Sequence, residues 1–599
     1  VIIETYQDLQ QALAWISKQK EIGYDIETNA LDFRRPGSHI IGIGISNFST
    51  GYYLPIRRFN IDSGQLSTCE TAKFAATLLA AIAKKDLVTF NGAFDLPWTR
   101  AKYAVDLLPA LHTDVLLLKH TVDEEFPFKL KEIAVQVFGY GAAAQQRDLQ
   151  EQVKERGGSK GDIWMADYQL VGKYCIQDCI LTMKLKAHYL HKLRAEGLED
   201  FFYKHEVMPL YKHVTIPMEQ HGIALDLPLM QETLSQITSD IASIESQILA
   251  DIQPLLAAKF TPWFLGKDYA PSRSGNFAQG FCEYYQLPLS RTATGRYSLS
   301  EAELAKLPDG HPKAVLLKQE MMTAEEITAV QALLARKEHG DGPLFNLQSK
   351  HHLKKLFFDT LGLEPLSTTD LGNPQVDDEF IHSVSEQYGW ANDLHIYNRL
   401  QKLKATYIER VLEKQTDGIF YPSFFQHRTI SGRFGSDLQQ LPRKVSEAEE
   451  PSEIVRKYNN RIRDFFVARP ARKLVGADYE SLEPHIFAHV SGDQLLQDIF
   501  RQGKDFYSEI AIRTEGLAEY SSDKLAPNYL GKANKAKRQQ AKAYALGVPY
   551  GMTGYKLSFQ LGCSPEDAEV LVNNYLSAFP QLQSWMQQTQ AQVLETGMV

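Results

Sequence analysis

Asp25 and Glu27 stand two residues apart in Gly-Tyr-Asp-Ile-Glu-Thr-Asn, at the end of an apolar stretch that reads as a strand. Alternate residues of a strand face the same way, so both carboxylates project together. Like charges side by side repel unless a cation neutralises them, and a hard divalent ion such as Mg²⁺ or Mn²⁺ suits that task. Asp95 follows in Asn91-Gly92-Ala93-Phe94-Asp95, where the Asn-Gly turn signal ends a short apolar strand at 87–90. Further on, Tyr174 and Asp178 are four apart in a helical pattern and so share a helix face. Alone, the first pair reads as an ordinary surface pair, Asp95 as a cap beside Asn91, and Asp178 as a solvated helix face. Together, in this order and on these elements, they suit two-metal hydrolysis of a phosphodiester. One ion lowers the pKa of an attacking water and the other stabilises the leaving oxygen. Tyr174 is placed to orient the water.

A second constellation lies in the last quarter. Leu474-Val475-Gly476-Ala477 reads as a strand ending in Asp478-Tyr479, with Glu483 five residues beyond Asp478. Downstream, Arg538, Lys542 and Leu546 are spaced i, i+4, i+8 and lie along one helix face. Two cations and an apolar tip on one face are suited to a triphosphate and a base. By itself, the basic run 535–542 would be a solvated helix face. Asp478 and the Tyr550-Gly551 pair favour the chemical reading.

The elements that must carry these groups are legible. Ile40–Ser46 reads as a buried strand and Gly51–Pro55 as its hairpin partner, followed by the strand at 87–90 and by helices ending with one through 175–191. This α/β layout suits one nuclease-sized domain to about residue 195. The middle, about 204–385, reads as mostly helical, with an amphipathic stretch at 230–251 and a loop-rich section at 262–275. Residues 287–292 weakly echo 364–369, which is too little for a repeat protein. Basic residues then gather at Arg461, Arg463, Arg469, Arg472 and Lys473. A long helical stretch runs from Ala533, interrupted at Pro549.

At 599 residues the chain spans several domains. Hydrophobic content of 44% and charged content of 23% fit a soluble protein. No apolar run is long enough to span a bilayer. The first residue is Val, and the expectation is a processed or engineered fragment without a signal segment. Five scattered cysteines point to a reducing compartment. Cys175 and Cys179 lie one helical turn apart but lack the second pair a zinc site needs. The net charge of −9 disfavours nucleic acid as a partner only on average, because basic grooves coexist with acidic metal clusters on one chain.

Over residues 1–195 the chain resembles the DnaQ-like proofreading 3′→5′ exonucleases, through Asp25-x-Glu27, Asn91-x-x-Phe94-Asp95 and Tyr174-x-x-x-Asp178. That resemblance implies an RNase H-like fold and metal binding by Asp25, Glu27, Asp95 and Asp178. It implies contact with the terminal nucleotides by Leu31 and Asn91. The later half resembles family A DNA polymerases, the group of bacterial DNA polymerase I. Asp478-Tyr479 matches motif A, implying metal binding by the Asp478 carboxylate and the Tyr479 carbonyl. Arg538-x-x-x-Lys542-x-x-x-Leu546-x-x-x-Tyr550-Gly551 matches motif B, the fingers helix. Glu483 matches the gate against the ribose 2′-OH, partnered by Tyr550. The segments 428–436 and 438–442 resemble the primer-template contact region, implying minor-groove contacts by Arg433 and Gln439, and 345–349 resembles a thumb segment.

The resemblance implies an α/β multidomain chain: an RNase H-like exonuclease domain followed by a right-hand polymerase of thumb, palm and fingers. The expected bounds are 1–195 exonuclease, 196–225 connection, 226–385 thumb with an insertion, 386–490 partial palm and 491–599 fingers. It implies Mg²⁺ or Mn²⁺, two per active site, with primer-template DNA and dNTPs as partners and no membrane. Such a protein is cytoplasmic, encoded by a bacterium or phage, with an organelle as the other option. Departures from the pattern are Glu483-Pro484-His485 where Glu-Leu-Arg is usual, Leu546 in place of Phe or Tyr, and Tyr507 in place of His. The His-Asp-Glu of motif C, expected beyond the fingers, is not in this sequence, so the C-terminal palm segment is expected to be missing. The expected function is DNA-templated polymerisation with 3′→5′ proofreading. The alternative is a 3′→5′ exonuclease whose polymerase half is a DNA-binding module.

Overall fold

A computed structural model of the chain describes residues 1–257, 345–369 and 371–597. The loop-rich section at 262–275, the echo at 287–292 and most of the insertion lie outside the described residues. The chain divides into two compact units, Val1–Lys473 and Leu474–Val599.

The first unit opens with a five-stranded sheet. Its strands are β1 (Glu21–Thr28), β2 (Ile40–Ser46), β3 (Gly51–Pro55), β4 (Asp86–Thr89) and β5 (Leu111–Asp114), in the order β3-β2-β1-β4-β5. β1, β2 and β3 pair antiparallel; β4 and β5 continue the sheet parallel. Ile22, Tyr24, Ile26, Ile43, Ile45, Leu87 and Val88 are buried in its core. Helix α1 (Gly92–Tyr103) follows β4, α2 (Leu130–Phe138) follows β5, and α3 (Tyr168–Ala195) crosses β1, β2 and β3. Asp167 caps α3 by accepting from the Gln169 N–H, and Lys192 and Arg194 complement its C-terminal dipole. Val171, Cys175, Asp178, Cys179 and Thr182 recur at helical spacing on its buried face.

The glycines of Ile-Ile-Gly-Ile-Gly-Ile-Ser explain how closely α3 and the sheet approach. In register, Asp25 pairs with Gly44 and Glu27 with Gly42, so each carboxylate has a glycine opposite on the same face. A Cβ on Gly44 would collide with Cys175 Sγ, and one on Gly42 with the Tyr53 hydroxyl. Gly44 thus lets α3 lie directly against β2, the neighbour of the strand that bears the carboxylates, and Gly42 makes room for Tyr53 of β3.

The other described residues of this unit are largely helical. A three-stranded antiparallel sheet holds β6 (Ile223–Leu225) between β7 (Ile419–Phe420) and β8 (Phe466–Val467). Helix α4 (Leu227–Ala257) packs on α5 (Gly389–Lys402) through a core that includes Ile237, Ile241, Ile248, Leu394, Tyr397 and Leu400. Contacts that tie the first sheet's surroundings to the 419–436 region include the Arg34 guanidinium, 3.5 Å from the Tyr421 ring centre, and His120 Nε2, 2.9 Å from the Thr429 carbonyl oxygen.

The second unit is a helical assembly. It contains α6 (Leu482–Ser491), α7 (Phe506–Glu515), α8 (Lys535–Gly547), α9 (Pro565–Ala578) and α10 (Pro580–Thr596) around Phe487, Ile510, Tyr544, Leu557, Tyr575 and Leu582. Pro549 ends the α8 stretch in a single 3₁₀ turn, Val548–Tyr550. The strand expected at 474–477 is not formed. A strand is held by ladder hydrogen bonds to a neighbour, and among the described residues none pairs with this segment. Val475 is 88% exposed and Tyr479, at its end, 77%. No described helix is long and apolar enough to cross a membrane.

The close approach of α3 can be tested at Gly44. Gly44→Val should cost about 1–3 kcal/mol by overpacking, read as a lower denaturant midpoint, and should slow any reaction that depends on Asp25. Unchanged stability would show that the helix has room to spare.

Candidate functional site

The structure brings Asp25, Glu27, Asp95, Tyr174 and Asp178 to one place, where β1, the start of α1 and the middle of α3 meet. Donor atoms of Asp25, Glu27 and Cys175 all lie within 4.8 Å of one another. Asp95, in the first turn of α1, accepts the Ile26 N–H at 3.2 Å, which locks it to the strand between the two carboxylates. Tyr174 stands one helical turn before Asp178 on α3, its ring centre 4.5 Å from the Lys131 ammonium. Asp25 is partly exposed, whereas Glu27, Asp95 and Asp178 are buried.

Burial sets the electrostatics. Loss of hydration, then the neighbouring Asp178 charge, pushes Asp25 up to about 7. Glu27 and Asp95 are held well above the carboxylate range, first by burial and then by Asp25. Asp178 is raised by burial, and Lys131 opposes the shift. Burial also pushes the Cys175 thiol up, so it stays protonated and donates to Asp25 Oδ2 at 3.4 Å. Converging oxygen donors that repel one another fit hard divalent cations, which would relieve that repulsion.

Two groups that sequence patterns did not single out complete the site. Asp114, buried at the end of β5, accepts from the Gly92 N–H at 2.7 Å and the Thr89 hydroxyl at 3.0 Å. It also accepts from the Leu116 and Leu117 N–H groups. These bonds brace the turn at Asn91, whose φ of 66° is left-handed, and so aim α1 and Asp95. The second group is Lys131, on α2, whose ammonium contacts Asp178 Oδ1. Nothing in its local sequence separates it from the neighbouring surface lysine, Lys129.

Beside the carboxylates, Leu31 stands 90% exposed on the loop after β1. It lines a cavity of about 660 Å³ together with Phe33, Arg34, Phe94, Trp98 and Tyr421. Asn91 is exposed at the rim of α1. Arg433 and Gln439 are exposed on the segment that includes the short pairing of Phe424–Phe425 with Gly435–Ser436.

In the second unit, the Tyr550 hydroxyl donates to Glu483 Oε1 at 3.1 Å, bringing the ends of α6 and α8 together. Arg538 and Lys542 flank the Tyr507 ring, 5.4 and 5.7 Å from its centre. Arg538 also forms a two-pronged ion pair with Asp505, both bonds 2.7 Å, a partner the helix spacing did not reveal. Lys542, Leu546 and Tyr550 line a cleft of about 790 Å³ with Gln539, Gly551 and Lys556. Asp478 and Tyr479 stand on the exposed segment before α6.

Residues 313–599 match DNA polymerase family A, and residues 1–194 match the 3′-5′ exonuclease family. Both families generally use divalent metal ions. The thermostable DNA polymerase I of Thermus filiformis is 31% identical over 255 residues, 41% of this chain and 28% of that protein. The DNA polymerase I of Pseudomonas aeruginosa is 31% identical over 266 residues, 43% of this chain and 26% of that protein. The DNA polymerase of Bacillus phage SP01 is 22% identical over 582 residues, 94% of this chain and 55% of that protein. The chain therefore spans less than a third of the length of the first two relatives. Among solved structures, the polymerase domain of Pol1 from M. smegmatis, in complex with DNA primer-template and dNTP, is similar in fold. It superimposes with a TM-score of 0.61 at 17% identity, covering 100% of this chain and 80% of that one.

The raised carboxyls make a prediction for the metal-free chain. A carboxyl whose folded pKa exceeds its unfolded value binds protons more tightly when folded, so protons stabilise the fold. For Asp25 that stability is full below the ordinary range near about 4 and is lost as pH rises through about 7. Melting temperature after chelation should fall between about pH 5 and about pH 8, and Mn²⁺ should restore it. A melt indifferent to Mn²⁺ across that range would contradict this electrostatic picture.

Proposed function

We infer that this chain, whose residues 313–599 match DNA polymerase family A and whose residues 1–194 match the 3′-5′ exonuclease family, is a template-directed DNA polymerase that edits its own product. The observation that carries the editing half is the convergence of buried Glu27, Asp95 and Asp178 with half-buried Asp25 and Tyr174. Asp25, Glu27, Asp95 and Asp178 would hold Mg²⁺ or Mn²⁺, two ions at the site, which would supply activation of an attacking water and charge stabilisation at the leaving oxygen. Tyr174, one helical turn from Asp178, orients the attacking water. Leu31 wedges against the terminal base, Asn91 holds the last nucleotides, and the cavity between Arg34, Phe94 and Tyr421 accommodates the frayed strand.

In the synthetic half, Asp478 and the Tyr479 carbonyl would hold two further ions. Lys542 and Arg538 bind the triphosphate, and Leu546 and Tyr550 face the base and sugar of the dNTP. The bond from Tyr550 to Glu483 supports the reading of Glu483 as the gate against a ribose 2′-OH. Arg433 and Gln439 contact the minor groove of the primer-template. The corresponding domains are exonuclease 1–195, connection 196–225, thumb 226–385, palm 386–490 and fingers 491–599, in a cytoplasmic enzyme.

The test uses a primer with a mismatched 3′ nucleotide. Asp25→Ala with Glu27→Ala should lower its removal by at least about 10³-fold, as loss of metal-held groups commonly does, and leave the fold intact by circular dichroism. Unchanged excision would refute the site. Extension by the complete natural chain that is lost in Asp478→Ala separates a polymerase from an exonuclease with a DNA-binding half.

A further inference from the structure

Among the described residues, Lys131 is a cation in contact with one of the four carboxylates, Asp178. It sits in the first turn of α2, reaches across to α3 and is almost fully covered, with 11% of its side chain exposed. Its ammonium contacts Asp178 Oδ1 and lies 4.5 Å from the Tyr174 ring centre. A buried ammonium is costly without a partner of opposite charge, and here both the carboxylate and the electron-rich ring face serve. Lys129 is the useful contrast: its partner is Glu132 on the surface, with 80% of its own side chain exposed.

The partner of Lys131 is itself one of the metal-site carboxylates. Lys131 holds Asp178 through Oδ1, so an ion bound through that oxygen competes with the ammonium for its lone pairs and displaces it. Displaced, the ammonium stays tethered beside Tyr174, next to the place where a phosphodiester would be cut. Two divalent ions would neutralise the four carboxylates, leaving the lysine to face the single negative charge of that phosphodiester. A bound strand thus offers Lys131 a second partner and frees Asp178 for metal.

We propose that Lys131 is a positioning residue that couples divalent-ion binding to DNA binding, by moving between Asp178 and the phosphate of a bound 3′ terminus. This rests on the exonuclease reading of the site and deepens it. By linkage, the coupling is reciprocal: metal tightens the strand by the same factor as the strand tightens metal.

The test titrates Mn²⁺ calorimetrically into the full chain, with and without a short single-stranded oligodeoxynucleotide whose 3′-terminal linkage is a phosphorothioate. In the unmodified chain the oligonucleotide should tighten Mn²⁺ roughly tenfold, within the usual span of coupling between sites. Lys131→Met keeps the stem and removes the charge. It should bind Mn²⁺ roughly tenfold tighter without DNA and lose most of the enhancement by DNA. Lys131→Arg, which keeps the charge, should retain the coupling. A Lys131→Met isotherm equal to that of the unmodified chain overturns the proposal, as does equal DNA enhancement in both. Should Lys131→Met melt early, loss of coupling in Lys131→Gln at a temperature where it is folded decides the matter. Hydrolysis of an ordinary oligonucleotide by the unmodified chain is measured alongside. Hydrolysis without the coupling refutes only the role of Lys131, whereas no hydrolysis refutes the exonuclease reading.

Discussion

Four carboxylates on one buried face repel one another and have lost much of their hydration, and the first unit is arranged around bearing that cost. Each buried ion loses several kcal/mol of hydration before any partner compensates. The sheet supplies Asp25 and Glu27, the left-handed turn at Asn91 supplies Asp95, and α3 supplies Asp178. Their closeness depends on residues that carry no charge. Gly42 and Gly44 let Tyr53 and Cys175 approach the strand, and Asp114 pins the turn that aims Asp95. In the absence of metal, protons and Lys131 share the neutralisation.

The second unit meets a milder form of the same problem with cations. Arg538 and Lys542 approach each other around Tyr507, and Asp505 neutralises Arg538 through two parallel bonds. Asp505 also caps α7 through the Ser508 N–H, so the pair fixes the relation of α7 to α8. The Arg538 guanidinium is oriented by Asp505, while Lys542 is exposed to the cleft. The Glu483–Tyr550 bond closes the other end of the same helix face.

Much of this was legible where side chains announce their own geometry. Ile40–Ser46 and Gly51–Pro55 match the strands read from alternation and turn signals, and 87–90 is displaced by one residue. The carboxylate set was legible because its spacing follows strand and helix periods. Lys131, Asp114 and Asp505 were not, because each acts on a partner far away in sequence: 47 residues from Lys131 to Asp178, 22 from Gly92 to Asp114, and 33 from Asp505 to Arg538. The apolar run at 474–477 misled for a related reason. Its composition specifies an extended backbone, but a strand also needs a neighbour, and composition does not say where that neighbour is.

The account turns on divalent ions among Asp25, Glu27, Asp95 and Asp178. Crystals soaked in Mn²⁺ and measured at the manganese absorption edge locate such ions directly. Anomalous peaks bounded by these four carboxylates, lost in Asp25→Ala with Glu27→Ala, are the predicted result. Ordered side chains with no anomalous peak among them, at Mn²⁺ concentrations that support hydrolysis, would contradict it.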